Sequence, residues 1–456
     1  MMKQAVLASP DKPHLFSNRQ LAALMLPLIW EQIFTSFMGT VDSMMVSNVS
    51  EAAISAVSLV DAINVLVIQA FYALASGGAI ICANYLGQQR RDQAERSANQ
   101  LLFIIFSISL AVLAVCQLFQ KPLLHLIFGS VEQEVMDAAM VYFFYTSLSF
   151  PFIALFDAGS AIFRAQNNSR LPMAITIFTN LMNIAGNALL IFGFHLGVAG
   201  AAAATLISRI AAALLILIFL HRTSGELQIG NFIFLKPDSR LIKNILRIGI
   251  PSGVENGMFQ FGKLAIQSTV STLGTTAIAA QAMTNILENF NGIAGVGIGI
   301  GMMTVVGQCL GAGRPDEARF YIKKLSLAAE FAVVGSCILI FLLTEPITRM
   351  AGLTQESASL CLFMVGWITV VKPLIWTAAF IPGYGLRAAG DVKFSMLLSC
   401  LSMWICRVSL CIYLIRSCGF GPMAVWIGMF TDWTVRGLFF IHRFRSGKWL
   451  KHQVTD

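Results

Sequence analysis

Two stretches of this sequence, GGAIICANYLGQQRRDQA at residues 77–94 and GIGIGMMTVVGQCLGAGRPDEA at residues 297–318, carry matching residues at a constant spacing of 224 positions. Gly77 matches Gly301 at that spacing, and the further matches are Leu86 with Leu310, Gly87 with Gly311, Arg90 with Arg314, Asp92 with Asp316 and Ala94 with Ala318. A register that stays unbroken over this length indicates an internal repeat. The sequence therefore predicts a chain built from two related halves.

The repeat extends in both directions from these stretches. The same spacing pairs Pro27 with Pro251 and Glu31 with Glu255 near the start of each half. Near the end of the fourth predicted helix of each half, FRAQNNS corresponds to LRAAGDV, so that Arg164 matches Arg387. The two halves therefore share their order of elements from beginning to end.

Composition places both halves in a membrane. Of the 456 residues, 57% are hydrophobic and 12% are charged, and the mean hydropathy is +0.74, whereas soluble domains carry about 25% charged residues. Apolar runs long enough for a spanning helix of about 20 residues recur along the chain. This composition excludes an ordinary water-soluble protein.

The apolar runs predict an all-α integral membrane protein with twelve transmembrane helices in two pseudo-symmetric six-helix bundles. The predicted spans are 21–46, 57–84, 99–119, 138–163, 172–193, 197–221, 245–271, 281–309, 325–344, 359–385, 396–415 and 421–442. They divide the chain into a cytoplasmic N-terminal tail, an N-lobe, a cytoplasmic linker, a C-lobe and a cytoplasmic C-terminal tail, at 1–20, 21–221, 222–244, 245–442 and 443–456. Because each half has an even number of spans, both halves insert the same way up, and we expect the substrate path between the lobes.

Basic residues assign the orientation. With both termini in the cytoplasm, 24 of the 31 lysines and arginines fall on the cytoplasmic side, including Arg164, Arg387 and Arg436, and three fall on the opposite side. Cytoplasmic loops are enriched in Lys and Arg. We therefore expect a multi-pass protein of the bacterial inner membrane, and the net charge of +8 needs no nucleic-acid partner.

Ionisable residues within the spans are the candidates for function. A carboxylate at the centre of a bilayer costs roughly 2.5–3.5 kcal/mol on insertion scales, so such residues face a cavity and mark transport pathways. The acidic candidates are Glu31, Asp42, Asp61, Asp157, Glu255, Glu288, Glu330 and Asp432. Lys263 and Lys372 lie at similar depth, and we expect them to pair with Glu255 or Glu288.

The ordered set of motifs resembles the multidrug and toxic compound extrusion (MATE) family from about residue 21 to residue 448. The motifs are VDSMMVS at the end of a first helix that contains Pro27, the two repeat stretches, FRAQNNSRLPM, GVAGAAAAT and YGLRAAGD. The resemblance implies a V-shaped pair of six-helix bundles that exports amphipathic, often cationic compounds in exchange for Na⁺ or H⁺.

The resemblance implies a cation-coupling site in the N-lobe, at Asp42, Asn183, Asn187 and Thr205. Asn183 and Asn187 are one turn apart and share a helix face, and with Asp42 they would supply the oxygen ligands of Na⁺ if coupling uses sodium. One branch of the family has an aspartate at the position of Asn187, so this chain has one carboxylate where that branch has two. The alternatives are a solvated acid at Asp42 and amide hydrogen bonds between helices at the asparagines.

A substrate or second proton site is predicted in the C-lobe. Its candidates are Glu255, Glu31, Lys263, Glu288 and Trp376. Other family members carry their helix-7 glutamate one turn deeper, where Phe259 stands here, and an additional acid near Trp376 that this chain lacks. Alternatively, Glu31 and Glu255 satisfy backbone groups that Pro27 and Pro251 leave free.

The function predicted from these observations is secondary active efflux rather than enzymatic catalysis. We expect small amphipathic substrates and membrane lipids as partners, Na⁺ or H⁺ as the coupling ion, no other cofactor, and a monomer that works by alternating access. A lipid-linked oligosaccharide flippase of the same superfamily is the first alternative, and it would require a larger, strongly basic cavity. An ion channel is the second alternative.

Overall fold

The computed structural model describes residues 14–47, 49–129, 131–222, 227, 229–230, 236–452 and 454. The predicted N-terminal tail and linker therefore lie partly outside the described residues. Within the described ranges the chain is helical, in agreement with the all-α prediction. Its helices are α1 Asn18–Ser47, α2 Glu51–Gly87, α3 Arg91–Leu118, α4 Gln120–Phe128, α5 Gln133–Leu148, α6 Phe150–Ala165, α7 Arg170–Asn187, α8 Gly197–Arg222, α9 Ser239–Val270, α10 Thr275–Gly311, α11 Pro315–Met350, α12 Gln355–Ala388, α13 Val392–Leu401, α14 Leu410–Arg416 and α15 Met423–Arg445.

The twelve predicted spans fall on these helices or on consecutive segments of them. The span 138–163 is divided, because α5 and α6 meet at Ser149 with a bend of 41°. Two spans contain π-helical segments, Ala188–Gly193 after α7 and Ser402–Ser409 between α13 and α14. Helix α9 begins at Ser239, five residues before the predicted end of the linker, where the Asp238 side chain accepts hydrogen bonds from the Arg240 and Leu241 amides.

A criterion of helix length, mean hydropathy and charge recognises fewer crossings than the twelve predicted spans. Nine described helices are long and apolar enough to cross a membrane, and ten crossings result when the bent pair α5 and α6 counts as one. Neither α9 nor α15 meets that standard. Both carry charges within the span, Lys263 and Glu255 on α9 and Asp432 and Arg436 on α15, and these charged side chains pack inside the protein or face its cavity.

Repeat-equivalent glycines bring the two halves together at one end of the molecule. A Cβ atom on Gly87 would collide with the carbonyl oxygen of Gln308, and a Cβ atom on Gly311 would collide with the carbonyl oxygen of Asn84. Asn84 and Gln308 are themselves 224 positions apart. We call Asn84, Gly87, Gln308 and Gly311 the lobe seam. Because only glycine has no Cβ, the close contact of α2 with α10 depends on both glycines.

The start of the chain adds a second connection beside the lobe seam. The Leu15 amide donates to Glu317 Oε2 at 2.9 Å, and the Tyr321 hydroxyl donates to the Phe16 carbonyl oxygen at 2.9 Å. The N-terminal segment thus binds the first turns of α11, which belongs to the other half. These contacts hold the halves together at the end of the molecule where Arg90 and Arg314 lie.

Candidate functional site

The four residues of the predicted coupling site lie together in the N-lobe. Asp42 is in the last two turns of α1, Asn183 and Asn187 are on α7, and Thr205 is on α8. The Asn187 side-chain nitrogen donates to Asp42 Oδ1 at 2.8 Å and lies 3.3 Å from a terminal atom of the Asn183 amide. The Asn187 amide, which is 2% exposed, therefore connects the carboxylate with the rest of the cluster.

The Asn183 amide also faces the carboxylate. One of its terminal atoms is 2.8 Å from Asp42 Oδ1 and 3.1 Å from Oδ2, and hydrogen bonding requires that this atom be the nitrogen. The nitrogen and oxygen of this amide are therefore assigned from the hydrogen-bond network. In that orientation the Asn183 oxygen accepts from the Thr205 amide at 3.3 Å. Rotating the amide by half a turn presents its oxygen to a cation instead.

The donor set fits a small, hard cation. Such ions bind carboxylate, amide and hydroxyl oxygens, and the cluster offers the Asp42 carboxylate, two asparagine amides and the Thr205 hydroxyl. Asn187 Oδ1 is buried and has no hydrogen-bond partner among the described residues. An unpaired oxygen beside a carboxylate is an available ligand for a cation, since leaving it unsatisfied costs free energy.

Asp61 and Arg209 form a second polar layer beside this cluster, and their charges act on Asp42. Asp61 accepts hydrogen bonds from the Asn64 amide at 3.2 Å and from the Tyr142 hydroxyl at 3.3 Å. Arg209 donates to the Ser149 hydroxyl at 2.7 Å, at the bend between α5 and α6. The coupling cluster therefore has both a negative and a positive group as neighbours.

A π-helical segment follows Asn187 directly. The π-helix is rare, and its single turns within α-helices often occur at functional sites because they alter which side chains share a face. Asn183 and Asn187 keep the α-helical spacing that aligns their amides, and the register changes only after them. The backbone therefore keeps the Asn183 and Asn187 amides on one helix face, and the π-helical segment changes the faces on which the later side chains of this span lie.

The two repeat-equivalent glutamates both bind the repeat-equivalent arginine of their own half. Glu31 Oε1 lies 3.7 Å from Arg164 Nη1, and Glu255 Oε1 lies 2.7 Å from Arg387 Nη2. This geometry argues against the alternative that the glutamates satisfy backbone groups, and it shows which of the two predicted glutamates is left without a lysine. The glutamates are ion-paired, rather than occupied with backbone groups beside the prolines, and Glu255 takes Arg387 rather than a lysine as its partner.

Lys372 and Glu288 form an internal pair in the C-lobe, as the sequence predicted. Lys372 Nζ lies 2.6 Å from Glu288 Oε1, and the lysine is fully buried. Its ammonium also lies 5.2 Å from the centroid of the Trp376 ring and 6.0 Å from that of Trp433. Trp376 in turn stacks on Phe380. Aromatic faces and one carboxylate together compensate the buried cation.

Lys263 departs from the predicted pairing. It makes no ion pair with a described carboxylate, and its Nζ lies 5.7 Å from the centroid of the Phe259 ring. Arg436, which the sequence assigned to the cytoplasmic tail, is a buried residue of α15 and pairs with Asp432 at 3.1 Å. Arg164 and Arg387 likewise belong to the last turns of α6 and α12 rather than to loops.

A cavity of about 960 Å³ lies between the lobes. Its N-lobe wall includes Asp61 and residues of α1 and α2, and its C-lobe wall comes from α9, α10, α12, α15 and the π-helical segment Ser402–Ser409. Four of the predicted C-lobe candidates line it, namely Glu255, Lys263, Glu288 and Trp376, whereas Glu31 does not. Arg387, Arg407 and Arg436 line it as well.

The sequence reasoning did not assign Arg387 or Arg436 to this site. Arg387 could have been found from the repeat, because a symmetric pair of glutamates and a symmetric pair of arginines predicts two symmetric ion pairs. Arg436 follows Asp432 by four residues, a spacing that places the two side chains on one helix face. Both signals are present in the amino-acid sequence alone.

The fold and these internal charges define a polytopic membrane transporter with two homologous lobes around a central cavity. The MatE family model matches residues 27–189 and again residues 251–413. The two matches begin and end 224 residues apart, at the spacing of the internal repeat. The chain belongs to the multidrug and toxic compound extrusion family of transporters.

Individual relatives match over nearly the whole chain. The uncharacterized transporter YisQ of Bacillus subtilis is 27% identical, and the match covers 99% of each chain. The probable multidrug resistance protein NorM of Thermotoga maritima is also 27% identical, over 96% of this chain and 94% of the relative. A crystal structure described as the outward-facing conformation of a multidrug resistance MATE family transporter superposes with a TM-score of 0.84 at 19% identity, covering 95% of this chain and 97% of the other.

Proposed function

We propose that this protein is a secondary active exporter that exchanges Na⁺ or H⁺ for amphipathic compounds by alternating access, with Asp42 as the coupling acid. The observation that carries the proposal is the cluster of Asp42, Asn183, Asn187 and Thr205, in which a single carboxylate is surrounded by neutral oxygen and nitrogen groups. The relatives named as multidrug resistance proteins support export as the direction of transport.

The cluster suits exchange because it contains one negative charge and no described basic residue in ion-pair contact with Asp42. A cation or a proton can neutralise the carboxylate, and either one changes the hydrogen bonds that Asp42 accepts from α7. The coupling step is therefore a change in the contacts between α1 and α7. A change of this kind alters the relative stability of two arrangements of the lobe, which is what couples binding to conformation.

The lobe seam supports alternating access. It closes one end of the molecule at Gly87 and Gly311, while the cavity lies among residues 58–65 of α2 and 281–296 of α10. At 1.5 Å per residue, about twenty residues of α2 and about twelve residues of α10 lie between the cavity and the seam, which corresponds to about 30 Å and about 18 Å along the two helices. With the predicted orientation, the closed end faces the cytoplasm, so the structure corresponds to the outward-facing state. Both walls come from one chain, which is consistent with a functional monomer.

Proteoliposomes with an imposed Na⁺ or H⁺ gradient test the proposal. We expect wild-type protein to move an amphipathic probe only when one of the gradients is present, and the effective gradient identifies the ion. Asp42→Asn should abolish the gradient-driven component, because the variant group neither ionises nor changes its charge. Asp137→Asn is the matched control, since Asp137 is exposed on α5. Equal gradient-driven flux in Asp42→Asn and wild type would exclude Asp42 as the coupling acid.

A further inference from the structure

The charges of the C-lobe wall do not cancel. Two of its basic residues have a carboxylate partner, in the pairs Arg387 with Glu255 and Arg436 with Asp432, and its Glu288 is paired with the fully buried Lys372. Lys263 and Arg407 also line the cavity, and in the described part of the chain neither makes an ion pair. Two positive charges therefore remain on this wall after its carboxylates have been assigned.

Lys263 and Arg407 are held close together by one aromatic ring. The Lys263 ammonium lies 5.7 Å and the Arg407 guanidinium 5.3 Å from the centroid of Phe259, and the charge of Arg407 acts on Lys263. The Arg436 guanidinium, which is paired with Asp432, lies 5.5 Å from the same centroid. Cation–π contacts attract each cation to the ring, but they do not neutralise its charge. Two like charges near one another in a poorly solvated site repel, and a shared anion relieves the repulsion.

Arg407 supplies an independent indication of a ligand. The residue is 7% exposed, lines the cavity and makes no ion pair with a described carboxylate; its Nε atom is buried without an acceptor among the described residues, as are the Nε atoms of Arg387 and Arg436. Arginine presents its donors in a planar fork that matches carboxylates and phosphates. A buried guanidinium with an unused donor on the wall of a cavity is suited to an oxyanion inside that cavity.

The facing wall does not supply this anion. Asp61 lines the N-lobe side of the cavity, but its carboxylate accepts hydrogen bonds from Asn64 and Tyr142. The charges that act on Lys263 are those of Arg407 and Glu288, and the carboxylates that act on Arg407 are Asp432 and Glu288. Both carboxylates are already paired, Glu288 with Lys372 and Asp432 with Arg436. The positive charge of Lys263 and Arg407 therefore remains available to a molecule that enters the cavity.

We propose that the transported compound is an amphipathic anion, whose carboxylate, sulfonate or phosphate binds between Lys263 and Arg407 and whose apolar part packs on Phe259, Trp376 and Phe380. This inference rests on the proposed export function and replaces the cationic substrate that the family resemblance implies. A cavity of about 960 Å³ is within the usual range for small-molecule sites. The anion can belong to a soluble compound or to a lipid headgroup.

Binding of two probes of opposite charge tests the inference in detergent-solubilised protein. We expect wild-type protein to bind radiolabelled taurocholate, an amphipathic sulfonate, more tightly than tetraphenylphosphonium, an amphipathic cation. Lys263→Gln and Arg407→Gln should each weaken taurocholate binding roughly tenfold or more, because each removes a hydrogen bond to a charged group. Lys263→Arg should retain most of the affinity.

Lys393→Gln is the matched control, because Lys393 is exposed on α13 and its loss changes net charge equally. Should the buried Arg407 be required for folding, Lys263→Gln still decides the matter, because its side chain is exposed to the cavity. The inference is overturned if tetraphenylphosphonium binds as tightly as taurocholate to wild-type protein. It is also overturned if Lys263→Gln weakens taurocholate binding no more than Lys393→Gln does.

Transport in proteoliposomes separates this inference from the proposed function. Gradient-driven export of tetraphenylphosphonium without export of taurocholate would overturn the anionic substrate and leave coupled export intact. Taurocholate binding that depends on Lys263, without gradient-driven flux of either probe, would support the anion site and overturn coupled export. Competition of dioctanoyl phosphatidic acid, but not dioctanoyl phosphatidylcholine, with taurocholate supports the anion site with a lipid headgroup as one source. Absence of that competition supports it with soluble anions as the source.

Discussion

The N-lobe and the C-lobe share their helix order and one ion pair, yet they carry opposite chemistry beside the cavity. At the repeat spacing of 224, Asp42 of the N-lobe corresponds to Ile266, and Lys263 of the C-lobe corresponds to Gly39. Asn64 likewise corresponds to Glu288, so the buried pair with Lys372 has no counterpart in the N-lobe. The acid with its amides occupies one lobe, and the unpaired cations occupy the other.

This difference indicates which residues maintain the fold and which perform transport. The glutamate and arginine pairs recur in both halves, as do the glycines of the lobe seam, because each half needs the same packing. Residues that differ between the halves, such as Asp42 and Lys263, are free of that symmetric requirement. A duplicated fold can thus separate the site for the coupling ion from the site for the substrate.

The largest effect should come from the buried C-lobe pair that the N-lobe lacks. Lys372→Met leaves the Glu288 carboxylate without its nearest cation, and removing one partner of a buried ion pair costs about 3–5 kcal/mol. We expect a strongly lowered unfolding temperature in detergent. The double variant Lys372→Met with Glu288→Gln should recover part of the loss, because it removes the uncompensated charge. Lys393→Met on the exposed face of α13 is the control, and a Lys372→Met protein as stable as that control would refute a structural pair.

The recurring pairs should differ in strength between the lobes. Glu255 and Arg387 are in hydrogen-bond contact at 2.7 Å, whereas Glu31 and Arg164 are 3.7 Å apart. Double-mutant cycles with Gln at each position should give a coupling free energy of about 2–3 kcal/mol for the C-lobe pair and about 1 kcal/mol or less for the N-lobe pair, within the range for residues in contact. Equal coupling in both lobes would show that the difference in distance has no energetic consequence.

Much of the fold and part of the site could be predicted from the sequence, and the reasons are specific. The apolar runs located all the spans, including those on α9 and α15, although the charges on these two helices keep them below a stricter criterion of length, mean hydropathy and charge. Asp42, Asn183 and Asn187 could be grouped because family motifs fix their helices. The partner of Glu255 was predicted wrongly, because Arg387 stands at a helix end, where a residue can equally belong to a loop. Which helix end faces the interior depends on packing between distant segments.

The lobe seam offers a perturbation that acts on both halves equally. Gly87→Ala and Gly311→Ala each place a methyl group against the backbone of the other half, and overpacking of this kind costs typically about 1–3 kcal/mol. We expect lower thermal stability for both variants. We also expect a larger distance between α2 and α10, which disulfide cross-linking or a spectroscopic distance measurement would detect. Gly335→Ala is the matched control, since nothing lies within 4 Å of its Cβ position on α11, and it should be stabilising by about 0.5–1 kcal/mol. If one of the two variants loses much more thermal stability than the other, the two glycines do not contribute equally to the lobe seam, although their contacts are equivalent.

The smallest expected change tests the ion site by adding charge to the lobe that already holds the acid. Asn187→Asp places a second carboxylate 2.8 Å from Asp42 Oδ1, where the amide nitrogen now lies. Two adjacent carboxylates repel unless a cation or a proton lies between them, so the variant should bind the coupling ion about tenfold more tightly, or about 1.4 kcal/mol. Binding of ²²Na⁺ to purified protein at constant pH measures the change if sodium is the ion, and Asn180→Asp, about two turns away on α7, is the control. The electrostatic gain should depend on proximity to Asp42 rather than on the net charge of the lobe. Tighter binding in Asn180→Asp than in Asn187→Asp would therefore show that the ion binds elsewhere along α7.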